Sequence, residues 1–155
     1  MMTERFVLDC PGPTVPLAEQ IRHGNYNYAN PDITDANFSL TIPAGKREVV
    51  LYDPRGYVSS ETMIARMKAD GCRPATFDDA LAMGIQYPDR QRQNPIVFLG
   101  TAWRDPGGDR RVPVLGVWDG SRALSLYCFG ERGLGLIWFD AGWSGLCRFA
   151  VVRVS

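Results

Sequence analysis

The chain has 155 residues, of which 45% are hydrophobic and 22% are charged, values typical of one ordinary globular domain. Lys plus Arg is 17 and Asp plus Glu is 17, so the formal net charge is zero and gives no global attraction to nucleic acid or anionic membranes. We therefore expect one globular domain over residues 1–155, with no membrane partner and no electrostatic sign of a nucleic-acid partner.

The amino-terminal residues and the cysteines bear on the compartment. The first ten residues, MMTERFVLDC, lack a basic segment followed by a long apolar run, and no window approaches the ~18 apolar residues of a membrane span. Cys10, Cys72, Cys128 and Cys147 are far apart and form no CxxC pair, and His23 is the only histidine. We predict a cytoplasmic protein with four reduced structural thiols and with no metal or cofactor, whereas export would allow two disulfides.

Two strands and a short helix are predicted in the first third of the chain. Residues 4–9, ERFVLD, are typical of a strand, and the proline-rich CPGPTVP that follows ends it. Residues 17–24, LAEQIRHG, predict a short helix that ends at Gly24. Residues 25–38 are rich in Asn and Asp, which favour turns, and residues 47–53, REVVLYD, predict a second strand.

The strongest helix prediction covers residues 59–70. Ser59 or Ser60 can accept hydrogen bonds from free amides of the first turn, and Gly71 ends the segment. Its apolar side chains share one face, which we expect to pack on the sheet; they are Met63, Ile64 and Met67.

A further helix is predicted from residue 77 onward. Thr76 is placed to cap it, and Asp79 follows three residues later, close to a capping box. Residues 87–95, YPDRQRQNP, are polar and bounded by proline, and they predict a connection.

The rest of the chain alternates strand and turn patterns. Residues 96–103, 112–118 and 123–130 predict a three-stranded antiparallel meander, in which Asp119-Gly120 supplies a tight hairpin turn. Residues 148–154, RFAVVRV, predict a closing strand. Early helices and a late hairpin-rich sheet indicate an α+β domain with two main helices packed on an antiparallel sheet.

The familiar catalytic motifs are absent from the sequence: it contains no GxSxG, GxxxxGK or HExxH. Residues 130–135, GERGLG, precede a strand-like run rather than the helix that a phosphate site needs, so they favour a loop. His23 lies at a predicted helix end, where it can satisfy last-turn carbonyls, and no partner for catalysis is identifiable. We therefore predict no catalytic residue.

Aromatic residues dominate the last third, and alternation along the predicted strands cannot bury all of them. In residues 123–129, Leu124 and Leu126 share one face and Tyr127 the other, so one face is expected to be exposed or covered by a loop. The segment DAGWSG is the natural cover, while Trp138 and Phe139 are expected to close the core. The predicted binding surface contains Trp118, Arg122, Tyr127, Asp140, Trp143, Ser144 and Arg148.

Much of the chain resembles a family of small uncharacterised bacterial proteins. The segments that carry this resemblance are GCRPAT, YPDRQR, PIVFLG and the terminal RFAVVR, together with the upstream NYANPDITDANF. No activity follows from this resemblance, so it transfers no catalytic residue.

The order of these parts is also similar to the C-type-lectin fold, as it occurs in formylglycine-generating enzymes and in retroelement-diversified variable proteins. A first segment of that pattern matches Gly71, Arg73, Pro74 and Thr76, with Ala75 inserted, and a second approximates Arg148, Phe149, Val152 and Arg153. The enzyme branch's copper-binding cysteine pair and the calcium-binding Glu-Pro-Asn type triplet have no counterpart. The resemblance therefore implies the fold, and argues against both the oxidase and calcium-dependent sugar binding.

Three functions are compatible with these observations. The first is a non-enzymatic module that binds a protein or small ligand on the aromatic surface of the late hairpins. The second is an enzyme with a loop-built site, for example Asp32, His23 or Tyr28 with Arg148. The third is a phage or mobile-element protein that blocks a host factor.

Overall fold

The computed structural model describes residues 2–129 and 142–154. Within these ranges, strands and helices alternate early and strands dominate late. The strands are β1 Met2–Cys10, β2 Tyr28–Ala29, β3 Gly45–Tyr52, β4 Cys72–Pro74, β5 Ile96–Val97, β6 Trp103–Arg104, β7 Arg110–Trp118, β8 Ser121–Cys128 and β9 Arg148–Arg153, and the helices are α1 Leu17–His23, α2 Ser60–Ala69 and α3 Phe77–Gln86.

All nine strands of the described ranges join one sheet, in the order β1-β3-β9-β5-β7-β8-β2. β4 also pairs with β9, and β6 with β7. The α+β prediction is confirmed, but the expectation of an antiparallel sheet is wrong, because β5 runs parallel to β9 and β2 runs parallel to β8. The last strand does not extend the sheet at an edge. It lies in the middle, between β3 and β5.

The sheet separates two apolar cores. α1, α3 and the segment around Phe38 cover one face, where Val49 and Leu51 of β3 point. α2 covers part of the other face, where Val50 and Tyr52 point. The alternation along β3 thus feeds both cores, as expected for a strand buried on both sides.

α2 and α3 begin at the predicted residues. The Ser59 side chain accepts a hydrogen bond from the backbone N–H of Thr62 at 3.1 Å. Asp79 accepts from the backbone N–H of Thr76 at 2.9 Å, and its buried carboxylate also receives two bonds from Arg47, at 2.7 and 2.9 Å. The predicted capping residues therefore work as expected, and Arg47 in addition ties α3 to β3.

The predicted packing of α2 is also confirmed. Met63 and Met67 are fully buried, and Ile64 packs partly buried against the same core. That core includes Val112 and Val114 of β7 and Phe149 and Val151 of β9, so the helix packs against the late strands.

The hairpin of β7 and β8 has the predicted turn. Asp119 and Gly120 adopt φ values of 53° and 78°, both positive as a type I′ turn requires. Trp118 and Ser121 are paired across this turn. Val112, which lies six residues before Trp118 in β7, is paired with Tyr127. The hairpin is therefore long and regular, and its register determines which aromatic side chains share a face.

Two further expectations concern the whole chain. The four cysteines are free thiols, and Cys10, Cys72 and Cys147 are buried while Cys128 is exposed. Among the helices of the described residues, none has the length and apolar character needed to cross a bilayer.

Candidate binding site on the hairpin face

The candidate site lies on the α2 side of the β7–β8 hairpin, beyond the area that α2 covers. Val112 and Val114 of β7 are buried in the core that α2 shares, and by alternation the next side chains on that face are Gly116 and Trp118. Trp118 is 61% exposed. The face of the hairpin that is buried on the α2 side near Val112 and Val114 thus becomes an open aromatic surface near Trp118.

Three aromatic rings border this open surface. The ring of Tyr28 on β2 contacts the Trp118 ring edge-on, with centroids 4.7 Å apart. Tyr127 stands toward the other end of β8 and is 53% exposed. The polar tips of these three side chains have no hydrogen-bond partner within the described residues, so they remain able to bind a ligand.

Between the rings lies a groove with a low floor. It encloses about 240 Å³, and its floor lies at Gly116 and Ser125. A Cβ built at Gly116 would meet no atom within 4 Å, which shows that the space above this residue is open. Among the described residues, no charged side chain lines this hollow. Its remaining lining is Tyr28, Asn30, Pro95, Val114, Val117, Trp118, Leu126 and Tyr127. We call this space the hairpin groove.

Two further hollows continue the groove in both directions. Beyond Trp118, one hollow is bordered by Asp119 and Ser121. Beyond Tyr127, another is bordered by Trp143 and Arg111. Tyr28 and Trp118 therefore form one ridge, and Tyr127 forms a second ridge, with a depression on either side of each.

Among the described residues that line these hollows, charged side chains occur only at the two ends of the series. The Arg111 guanidinium donates a hydrogen bond to Asp105 at 2.8 Å, and this bond holds the pKa of the Asp105 carboxyl below its ordinary value. Asp119 makes no ion pair within the described residues. The Arg111 end is thus electrically compensated, whereas the Asp119 end carries a free negative charge.

Arg122 was expected on the binding surface, and this expectation is wrong. Its side chain is 5% exposed and donates to the backbone carbonyls of Pro88, Gly24 and Gly84 and to the Gln91 side chain. The side chain of Gln91 in turn donates to carbonyls on both strands of the hairpin. Residues 87–95, predicted to be a plain connection, are therefore part of a buried polar brace under the hairpin, on the face opposite the groove.

Trp143 was expected to be half exposed, and this expectation is also wrong. It is 6% exposed, and its backbone forms a bridge with Val58, with N–O distances of 2.7 and 3.1 Å. Its indole N–H donates to Ser60 Oγ at 2.8 Å, and its ring packs edge-on against Phe149. Because the Trp143 backbone is paired with Val58 and the indole N–H has the Ser60 hydroxyl as acceptor, this amphipathic side chain can be buried in the core.

The other predicted site residues occupy different places. Ser144 is exposed, and its hydroxyl accepts a bond from the backbone N–H of Leu146 at 2.9 Å. Arg148 lies 3.7 Å from Asp53 and donates to nearby backbone carbonyls. Asp140, Trp138 and Phe139 lie outside the described residues. Of the predicted site residues that the structure describes, Trp118 and Tyr127 border the hairpin groove.

Sequence reasoning did not place Tyr28, Asn30 or Gly116 in this site. Tyr28 comes from a segment interpreted as an Asn-rich loop, and it reaches the hairpin because β2 pairs with β8, opposite Ala123. The signal that was available is the glycine within VPVLGVW, because a glycine inside a strand marks a place where another group approaches the backbone.

Comparison with known proteins gives no match: no family model, no curated protein and no solved structure is significantly similar to this chain.

Proposed function

We propose that this protein is a non-enzymatic binding module that holds a protein or small ligand in the hairpin groove. The observation that carries this proposal is the pair of exposed aromatic ridges, Tyr28 with Trp118 and Tyr127, on a face that α2 leaves open. Tryptophan and tyrosine at such positions are the usual energetic centres of binding surfaces, because each buries a large area and offers a polar tip.

The lining of the groove supports binding rather than catalysis. The described residues that line the groove between the ridges include no titratable acid or base other than tyrosine, so this lining lacks the pair of groups that general acid–base chemistry uses. The residues named for an enzyme also lack a common cluster: His23 lies 3.8 Å from Glu19, Arg148 contacts Asp53, and Tyr28 stacks on Trp118.

The finer fold assignment, a C-type-lectin-like domain, is part of the same proposal. It is supported by the placement of the two segments that carry the resemblance. The GCRPAT segment contributes β4 and the RFAVVR segment forms β9, and the two pair antiparallel, with Cys72 opposite Arg153 and Pro74 opposite Val151. An experimental structure compared with domains of that fold tests this assignment.

The binding proposal is tested by selection from two kinds of library, a phage-displayed random-peptide library and a glycan array. The wild-type protein is compared with Trp118→Ala, which removes one ridge, and with Gly116→Val, which fills the groove. Valine suits a strand and has open space at this position. Val7→Ala is the matched control, since Val7 is 50% exposed on β1 at the opposite edge of the sheet.

We expect ligands that bind the wild type and Val7→Ala equally and that lose at least about tenfold in affinity with either groove variant. Ligands that bind all four proteins alike would place binding elsewhere, and the proposal would be wrong. A screen that yields no ligand from either library would also count against it.

A further inference from the structure

We propose that the groove takes a proline-rich peptide segment of a partner protein, in the polyproline II conformation and with a basic residue at the Asp119 end. This inference rests on the proposed function, because it names the ligand class of the same groove. The spacing of the ridges, the polarity of the groove and the charge at its end support it.

The spacing of the two ridges fits a polyproline II chain. Tyr28 is paired with Ala123, and Tyr127 lies four residues further along the same strand. At about 3.3 Å per strand residue this places Tyr28 roughly 13 Å from Tyr127, and Trp118, which is paired with Ser121, roughly 20 Å from it. A polyproline II helix rises about 3.1 Å per residue and so covers these distances with about four to six residues, or one to two turns.

The shape of the groove suits proline rings. Aromatic ridges separated by depressions are the surface that recognises polyproline II ligands in general, because the rings of proline pack flat against aromatic faces. The floor is low because Gly116 has no side chain and the space above it is open. A small, rigid ring can therefore descend between Trp118 and Tyr127, and little conformational entropy is lost when it does.

The polarity of the groove fits the same ligand. A polyproline II chain makes no internal hydrogen bonds, so its carbonyl oxygens need donors from the receptor. The Trp118 indole N–H and the hydroxyl groups of Tyr28 and Tyr127 are free of partners in the described part of the chain, and they are donors of the required kind. Since no charged side chain of the described ranges lines the central hollow, a charged peptide segment would be desolvated there without compensation.

The charge at one end sets the orientation. Asp119 borders the outer hollow beside Trp118 and has no ion-pair partner among the described residues. Arg92 donates to the carbonyl of the neighbouring Gly120 and lies 3.8 Å from Asp89, so a carboxylate already compensates it. A lysine or arginine that flanks the proline-rich run would find its counter-charge at Asp119.

The test uses a synthetic peptide with a fluorescein label, in which one arginine precedes six residues that alternate proline pairs with leucine or alanine. Binding to the full chain is measured by fluorescence anisotropy. We expect saturable binding that falls at least about tenfold with Trp118→Ala and with Gly116→Val, and that Val7→Ala leaves unchanged. A control peptide in which alanine replaces every proline should bind at least about tenfold more weakly, because its backbone loses more conformational entropy on binding.

The proposed contact between the peptide's arginine and Asp119 is tested by a double-mutant cycle. Asp119→Asn removes the charge and keeps the turn, because asparagine accepts positive φ. It should weaken the arginine peptide by about twofold to fivefold, as expected for an exposed ion pair, and should leave a peptide with alanine in place of that arginine unchanged. Equal weakening of both peptides would overturn the assigned orientation.

The outcomes separate this inference from the proposed function. If library ligands depend on Trp118 but are carbohydrates or lack proline, the groove binds and the proline-rich assignment is wrong. If sedimentation shows that the wild type self-associates and Gly116→Val does not, the occupant is a second copy of the chain, and the assignment is again wrong. If the peptide binds and neither groove variant weakens it, both proposals fail.

Discussion

Trp118 and Trp143 occupy opposite environments, although the sequence around each suggests the reverse. Trp118 ends the apolar strand VPVLGVW, and yet it is exposed at the hairpin turn. Trp143 stands between glycines and polar residues in AGWSG, and yet it is buried. The composition of a short segment therefore does not decide burial here. The covering element decides it.

The covering element on this face is α2. Its Met63 and Met67 share one core with Val112 and Val114 of β7, and Ser60 in its first turn gives the Trp143 indole a hydrogen-bond acceptor. It does not reach Trp118, which lies four residues beyond Val114, roughly 13 Å at 3.3 Å per residue. One end of the face thus belongs to the core, and the other end is available for binding.

The largest effect that we expect from the difference between the two tryptophans is on stability. Trp143→Ala should lower the free energy of unfolding by about 3–5 kcal/mol, because it leaves a cavity in the core under α2. Trp118→Ala should lower it by less than about 1 kcal/mol, since this side chain is largely exposed. Urea denaturation followed by circular dichroism measures both. Equal losses would show that the two tryptophans do not differ as described.

A second prediction concerns the polar brace beneath the hairpin. Arg122→Met keeps the apolar stem but leaves several buried carbonyl oxygens without a donor, so the free energy of unfolding should fall by about 2–4 kcal/mol. Arg92→Met removes a partly exposed pair and should cost less than about 1 kcal/mol. A small loss for Arg122→Met in the same denaturation assay would mean that these carbonyls reach water.

Features that depend on neighbouring residues could be predicted from the sequence. Local patterns correctly predicted α2 and α3 with their capping residues and the Asp119-Gly120 turn, because the interactions that determine these features lie within a few residues. The pattern of residues 123–129 predicted that one of the two faces of β8 is exposed or covered by a loop, without deciding which. Tyr127 is exposed, whereas Phe129, predicted on the same face, is buried.

Long-range pairing could not be predicted from such patterns. The parallel pairing of β9 with β5 and the pairing of β2 with β8 join residues about fifty or more positions apart, and no local periodicity encodes them. The burial of Arg122 and Trp143 depends on these pairings, because their partners come from α1, α3 and α2. The structural role of residues 87–95 beneath the hairpin could not be predicted either, because it depends on hydrogen bonds to residues far away in the sequence.

A smaller effect is expected at Ser60. Its hydroxyl accepts from the Trp143 indole and donates to the Phe129 carbonyl in a buried position. Ser60→Ala should therefore lower the free energy of unfolding by about 1–2 kcal/mol, since two buried polar groups lose their partner. Ser144→Ala is the exposed control and should change it by less than about 0.5 kcal/mol.

The smallest effect is a difference in thiol reactivity that needs no substitution. Burial raises the pKa of Cys10 to about 11 and also raises the pKa of Cys147 above its ordinary value. A raised pKa leaves less thiolate at pH 8, so these thiols should react slowly with iodoacetamide, whereas the exposed Cys128 should react fast. Mass spectrometry should show one rapid addition in the native protein and four after denaturation without reductant. Fewer than four would reveal a disulfide.

The most direct test of the account is ¹⁹F NMR of the protein labelled with 5-fluorotryptophan, recorded in H₂O and in D₂O. Single Trp→Phe variants assign the resonances. A fluorine that contacts water shifts between the two solvents, and a fluorine in a dry core does not. The account predicts a clear solvent shift for Trp118 and none for Trp143. A solvent shift at Trp143 with none at Trp118 would contradict it, and would return the binding surface to the AGWSG segment.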